Sequence, residues 1–345
     1  MKILFLSHRF SPFVGGIEVI SELLAEGFAK AGHQVHLLTW TVEQSDSQHS
    51  FEVIRKPDIL KLFKEHAWAD LVFENNLCLR LAWPALFFSR PSVIALHTWI
   101  SRVNGEKSWK DRLKENWWLQ RAKNVIAVSE ALKNSCGHQA IIIGNPYRAS
   151  EFIIDPAIHK TSQFVFLGRL VSDKGANLAI EAIKELLETD LSLDNKPHLT
   201  IIGDGPERAS LALLVSDLGL TDYIQFTGIL KGKELVKQLN QHRYLLVPSI
   251  WEEPFGVVAL EGMACGCVPI VANTGGLPEA IGMAGITFQG GSFNSLVSSI
   301  RWILNNTEVE QQLRSNAPSH LKAHHPETII RKYLNVLEET FSPAI

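Results

Sequence analysis

Two carboxylates in one short run, Glu253 and Glu261, carry the most pointed chemistry in the sequence. They stand in Trp251-Glu252-Glu253-Pro254-Phe255-Gly256-Val257-Val258-Ala259-Leu260-Glu261-Gly262-Met263-Ala264. A carboxylate accepts hydrogen bonds from two hydroxyls at once, which suits a sugar or ribose diol. Pro254 and the apolar residues after it predict a helix starting near 254. Its first-turn amides, Phe255, Gly256, Val257 and Val258, are then free to meet phosphate. Glu253 comes just before that helix and Glu261 about two turns in, among Val257, Val258, Leu260 and Met263. An unpartnered charge there is costly, so Glu261 has a partner or a wet cavity, or else lies on an exposed face.

Three glycine-bearing segments extend this chemistry. Gly168-Arg169-Leu170-Val171-Ser172-Asp173-Lys174-Gly175 sets Arg169 and Lys174 in a loop bounded by glycines. A guanidinium fork and an ammonium point charge suit a diphosphate; the plainer reading is solvated surface charge. Gly203-Asp204-Gly205-Pro206 reads as a turn opening a helix, with Asp204 as cap, Pro206 in the first turn and Gly205 at the nucleotide end of a site. Ser11-Pro12-Phe13-Val14-Gly15-Gly16 pairs Gly15 and Gly16 ahead of another helix. That is either a close backbone approach to an anion or a tight turn. No GxGxxG fingerprint or Walker loop occurs, which weakens the dehydrogenase and P-loop readings.

These segments need a scaffold that gathers them, and the hydrophobic pattern supplies one. Apolar runs at 3–6, 35–39, 71–73, 93–96, 125–128 and 141–143, then at 164–167, 199–202, 224–227, 244–247 and 268–271, read as strands. Helix-length stretches such as 17–30, 177–188 and 234–240 alternate with them. Strands that are apolar throughout suit parallel sheets covered on both faces, and the βα alternation predicts a doubly wound α/β architecture. In such folds ligands bind at the carboxyl ends of the strands, where all four segments fall. Pro146, Pro156 and a stretch without period near 147–160 mark a division. The expected domains are 1–150 and 160–326, each Rossmann-like and facing the other across a cleft, with a helical pattern at 327–345 that packs on either half.

Composition removes other classes. The 345 residues are 46% hydrophobic and 20% charged, ample for two packed cores. A net charge of −3 argues against a nucleic-acid partner. Four cysteines, Cys78, Cys136, Cys265 and Cys267, lack the spacing of a zinc site and are too few for a disulfide framework, so no metal is expected and a cytoplasmic setting is the simplest. No apolar stretch is long enough to span a membrane, and the N-terminus reaches His8-Arg9 too soon for a signal peptide.

Taken in this order, the four segments resemble the retaining glycosyltransferase family 4, which has the GT-B fold, over nearly the whole chain. Glu253 through Glu261, the following Ala264-Cys265-Gly266-Cys267-Val268-Pro269, and Gly168-Arg169 with Lys174 carry the resemblance. It implies that Glu253 binds donor-sugar hydroxyls, that Glu261 binds the ribose, and that Arg169 and Lys174 neutralise the diphosphate with no metal and no cofactor beyond the nucleotide-sugar. It implies that Gly16 approaches the donor from the first half. His97, after the 93–96 strand, is implied as the family's histidine at the sugar, and the alternative is a structural histidine. Thr227, in Phe226-Thr227-Gly228, matches the loop that borders the nucleobase. Asn145-Pro146 departs from the family's asparagine-glycine turn, and Glu74-Asn75-Asn76 stands where many members carry a histidine.

The implied reaction moves a sugar from a UDP or GDP type donor to a glycan, lipid-linked or small-molecule hydroxyl by front-face substitution, with no nucleophilic carboxylate evident in the first half. Two other readings stay open: a nucleotide-sugar 2-epimerase-like isomerase, and a non-catalytic nucleotide-sugar-binding scaffold. Residues 102–123 interleave Trp109, Trp117 and Trp118 with basic side chains. That segment either lies on the inner face of the cell membrane or buries its tryptophans in the first domain.

Overall fold

The computed structural model describes residues 1–12, 16–42, 48–100, 116–189 and 196–342. They form two compact units: Met1–Pro146 with Pro326–Ile345, and Tyr147–His325.

In the first unit β1 (Lys2–Ser7), β2 (Gln34–Thr39), β3 (Glu52–Arg55), β4 (Leu71–Asn75), β5 (Ser92–Leu96), β6 (Asn124–Ala127) and β7 (Ile141–Ile142) make one parallel sheet. Their order is β3-β2-β1-β4-β5-β6-β7. β1 is buried from Ile3 to Ser7 and β4 along its whole length, as expected of strands covered on both faces. Helices α1 (Gly16–Lys30), α2 (Ile59–Trp68), α3 (Leu79–Ala82) and α4 (Glu130–Cys136) follow the strands. The C-terminal helix, Pro326–Phe341, packs Ile329, Tyr333 and Leu337 into the same core cluster as Phe5, Phe28 and Phe73. Each such buried side chain contributes roughly 1.5–3 kcal/mol.

The second unit repeats the plan with β8 (Ser162–Leu167), β9 (Leu199–Ile202), β10 (Ile224–Gly228), β11 (His242–Val247), β12 (Val268–Ala272) and β13 (Ile286–Phe288), ordered β10-β9-β8-β11-β12-β13 and parallel throughout. Helices α5 (Ala176–Thr189), α6 (Arg208–Asp217), α7 (Gly232–Gln241), α8 (Val257–Ala264), α9 (Leu277–Ile281), α10 (Phe293–Leu304) and α11 (Thr307–Ala323) cover it. Strand order reverses between β1 and β4 in one sheet and between β8 and β11 in the other. Loops leaving a sheet in opposite directions at such a point open a crevice at its carboxyl edge.

Two helix starts differ from the sequence expectation. α8 begins at Val257, because Gly256 takes a φ of 105° as its N-cap, so Phe255 stands before the helix rather than in its first turn. α6 begins at Arg208 with Glu207 at the N-cap position, and Asp204 caps nothing there: its Oδ1 accepts from the Gly205 N–H at 2.7 Å. The edge strands β3 and β13 were not anticipated. All four cysteines are buried and unbonded. Among the described residues no helix is long and apolar enough to cross a membrane. Most of the 102–123 segment lies outside the described residues; of its described part, Trp118 is buried and Trp117 exposed.

Candidate functional site

Unit two's crevice is built by the loops after β8 and β11, which are fastened together. Gly175 closes the first loop with a φ of 68°, and a Cβ there would collide with the Pro248 carbonyl at the end of β11. The Asp173 carbonyl accepts from the Ile250 and Trp251 amides at 2.9 and 3.1 Å. The loop after β9 joins them: Leu170 donates to the Asp204 carbonyl (2.9 Å), Glu207 to that of Leu170 (3.1 Å), and Gly205 is pressed against the Leu170 carbonyl. Backbone bonding of this density fixes the side chains these loops carry.

Lys174 and Glu253 meet as an ion pair, Nζ to Oε1, and the Ser249 hydroxyl donates to the same oxygen at 2.8 Å. Arg169 is exposed, and its guanidinium has no hydrogen bond or ion pair among the described residues; its carbonyl accepts from the Val171 amide at 3.1 Å. Below them α8 starts, its Val257 and Val258 amides lacking intrahelical acceptors, with Phe255 buried and Gly256 half-buried. Thr227 is the last but one residue of β10, its Oγ1 3.1 Å from the Gly228 carbonyl.

Glu261, on α8, is 14% exposed. Its Oε1 accepts from Arg148 through Nε (3.3 Å) and Nη2 (3.1 Å). Burial raises the Glu261 pKa and the Arg148 charge opposes that rise. Arg148 is itself held by Glu151 at 2.7 Å and lies over the Phe152 ring at 4.6 Å. The sequence reading required a partner or a wet cavity for Glu261 and named neither Arg148 nor Ser249. Arg148 lies in the stretch taken as a linker, and only the requirement for a partner pointed towards it.

In the first unit the edge is differently furnished. His97 directly follows β5 and is 5% exposed. Its Nδ1 is 3.0 Å from Asn145 Oδ1, an atom that only accepts, so Nδ1 carries the proton of a neutral ring. Burial holds its pKa down at about 4. Nε2 is buried with no partner among the described residues. Asn76 Oδ1 accepts from the His97 amide at 2.7 Å and fixes the backbone there. Glu74 is buried, with Oε2 taken by the Cys78 amide (3.0 Å) and Oε1 by the Trp118 indole (2.7 Å). Burial raises its pKa to about 7. With both oxygens occupied it is not a free nucleophile. Gly16 opens α1 and is exposed, whereas Gly15 lies outside the described residues.

Chemically, the loops of unit two thus offer the Arg169 guanidinium, unpaired among the described residues, a free helix start and two carboxylates, each tied at one oxygen by a cation. Comparisons with known proteins identify the family. The family described as Glycosyl transferases group 1 matches residues 149–320, and Glycosyltransferase Family 4 matches residues 14–140. An uncharacterised glycosyltransferase of Methanocaldococcus jannaschii is 27% identical over 81% of this chain and 83% of its own. A glycogen synthase of Mycobacterium tuberculosis is 25% identical over 73% of this chain and 64% of its own. Among solved structures, Anabaena HepE in complex with UDP-glucose superposes with a TM-score of 0.77 at 21% identity, covering 98% of this chain and all (100%) of its own. Sucrose-phosphate synthase of Thermosynechococcus elongatus superposes with a TM-score of 0.79 at 21% identity, covering 99% of each chain. With GT-B neighbours across its length and family matches on both units, the chain belongs to glycosyltransferase family 4 and is a retaining glycosyltransferase that uses a nucleotide-sugar donor.

Proposed function

We propose that this enzyme transfers the sugar of a UDP or GDP type donor, with retention and without a metal, to a hydroxyl of a glycan, lipid-linked or small-molecule acceptor. The observation that carries the proposal is the charge arrangement at the β8/β11 crevice. The Arg169 guanidinium is exposed and unpaired among the described residues, beside the Lys174–Glu253 pair and the free amides that open α8.

In this reading Arg169, Lys174 and the Val257 and Val258 amides take the diphosphate. They meet its charge most strongly as the glycosidic bond breaks and the negative charge on the leaving oxygen grows. Glu261 accepts from the ribose hydroxyls and Glu253 from hydroxyls of the sugar, each with the oxygen its cation does not hold. Gly205 and Thr227 border the nucleotide. The departing diphosphate takes the acceptor's proton on the face it leaves. A neutral His97 bears on the reacting sugar through Nε2 in the first unit. The HepE complexes contain UDP with glucose and UDP-glucose, and that chemistry supports a UDP-sugar as the first donor to try.

The test is thermal denaturation with UDP, GDP, ADP and their sugar conjugates, in the absence of added metal. One nucleotude family is expected to raise the melting temperature by mass action, and the shift is expected to vanish in Glu261→Ala and in the Arg169→Ala, Lys174→Ala pair. Absence of any shift at millimolar nucleotide would overturn the reading. Conversion of the donor to an isomer with no acceptor present would replace transfer with epimerisation.

A further inference from the structure

Helix α2 is turned the wrong way round for a surface that meets only water. Towards the sheet it buries Leu62, but also Glu65 and His66. Glu65 is bound by His36 Nδ1 at 2.6 Å and by Lys61 Nζ at 2.9 Å, and His66 Nε2 lies 2.9 Å from the Leu81 carbonyl. Towards solvent, its first turn shows Ile59 and Leu60, 64% and 82% exposed. The ordinary amphipathic helix does the reverse.

The apolar surface continues beyond the helix. Phe63, one turn on from Ile59, sets its ring 5.3 Å from that of Trp83 and 5.5 Å from that of Phe87. Both belong to the tight turn Trp83–Phe87, on which Phe87 is 68% exposed and Leu86 is exposed too. Beside this ridge runs a largely apolar groove of about 640 Å³, lined by Trp40, Ile59, Leu60 and Trp83 together with Asp58 and Arg80. Contiguous apolar surface of this kind marks an interaction site more often than it marks chance.

The charges around it choose the partner. Lys56, Lys64 and Arg80 are exposed, and Lys64 follows Leu60 by one turn, on the same face. The nearby acids are fewer: Asp58, exposed and in the groove's lining, caps α2 by accepting from the Lys61 amide at 2.7 Å, and Glu52, also exposed, lies 3.9 Å from Lys61 Nζ and 3.3 Å from His36 Nε2. An apolar ridge rimmed by cations that have no ion pair among the described residues matches the boundary between anionic headgroups and acyl chains.

We propose that the exposed face of α2, with the Trp83–Phe87 turn, docks the first unit on an anionic lipid surface. Ile59, Leu60 and Phe87 enter the acyl boundary, and Lys56, Lys64 and Arg80 meet phosphates. The inference does not rest on the donor assignments, since every residue in it lies in the first unit. It also differs from the tryptophan-rich 102–123 segment considered from sequence.

Co-sedimentation of the full chain with vesicles of phosphatidylcholine alone, or with added phosphatidylglycerol, tests it. Wild type is expected to partition onto the anionic vesicles and to lose binding as salt rises. The Ile59→Ser, Leu60→Ser variant is expected to lower that partition by at least about tenfold. Lys64→Glu with Arg80→Glu is expected to remove the preference for phosphatidylglycerol. Phe87→Ser, outside α2, gives the same readout should the helix variant fail to fold. Wild type that ignores anionic vesicles overturns the proposal, as does an apolar variant that binds as well as wild type. A vesicle-free dimer that the apolar variants dissociate overturns it too, assigning the face to a second copy of the chain.

Discussion

The two sheets share one topology and use their carboxyl edges in opposite ways. In the first unit the edge groups are tied mainly to one another: Glu74 accepts from Cys78 and Trp118, His97 Nδ1 meets Asn145, and Asn75 donates to the Ser21 hydroxyl at 2.6 Å, which leaves only His97 Nε2 and Asn75 Oδ1 of these groups buried without a partner among the described residues. In the second they are left half-open, with Arg169 exposed and with Glu253 and Glu261 each bound to a cation at a single oxygen. A group whose hydrogen bonds are all made inside the protein shapes a surface. A charge held by one partner keeps capacity for a ligand. On the reading proposed above the nucleotide goes to the second unit, whereas the first presents shape and a neutral imidazole.

The sharpest break of that comparison comes from removing the half-open cations. Arg169→Ala with Lys174→Ala is expected to cut transfer by at least about 10³-fold, since two donors to the leaving group are lost. The melting temperature without ligand is expected to fall modestly, because the Arg169 side chain has no partner among the described residues, whereas Lys174→Ala leaves Glu253, 15% exposed, with the Ser249 hydroxyl but without its cation. Steady-state transfer rates and a ligand-free melt check both halves. A large loss of stability would mean that these cations hold the crevice together.

Removing Arg148 comes next. Glu261 must be ionised to accept from two hydroxyls; burial raises its pKa, and Arg148 holds it down. Nucleotide binding is therefore lost as pH falls through that pKa, and Arg148→Ala moves the loss to higher pH. The expected weakening at neutral pH is about tenfold in the dissociation constant, with the turnover number at saturating donor nearly unchanged. Nucleotide titrations between about pH 5 and 8 check it, with Arg148→Lys expected to restore part of the wild-type profile. An unshifted acid limb would show that Arg148 only packs on Phe152.

What could be read beforehand follows the same physics. Runs that are apolar throughout gave eleven strands, because both faces of a central parallel strand are covered. β3 and β13, edge strands of four and three residues with mixed burial, were not read, although the edge strands β7 and β10 were. Glycines and charges at strand ends gave the second unit's crevice, since ligand-facing loops cannot hide their residue types. Arg148 and Asn76 act through contacts 113 and 21 residues away, and no local pattern announces a long-range partner. The start of α8 slipped because Pro254 signals a first turn, while the positive φ of Gly256 delays the helix.

A smaller effect is expected from the satisfied edge. Glu74 has a folded pKa of about 7, well above its ordinary 4.5, so the folded state holds a proton that the unfolded chain has released between those values. Its contribution to stability is present below about pH 4.5 and is lost as pH rises towards 7, by on the order of 3 kcal/mol in all. Trp118→Phe removes a donor to the carboxylate and raises that pKa further. The variant is expected to lose about 1–2 kcal/mol more at pH 8 than at pH 5. Urea unfolding at the two pH values checks this, and equal losses at both would show that the indole matters only as packing.

The smallest expected effect lies with His97, whose pKa of about 4 follows from burial against a single favourable hydrogen bond from Nδ1 to Asn145. The ring is then neutral at every pH at which the enzyme is used, and protonating it would desolvate a charge with no carboxylate beside it among its recorded partners. Transfer is accordingly expected to show no limb near pH 6.5, the ordinary range for histidine. The pH profile of kcat in wild type, set against that of His97→Gln, decides the matter. A limb near 6.5 that disappears in His97→Gln would mean that this edge opens to water in the working enzyme, and the contrast between a closed first edge and a half-open second one would fail at the residue that best exemplifies it.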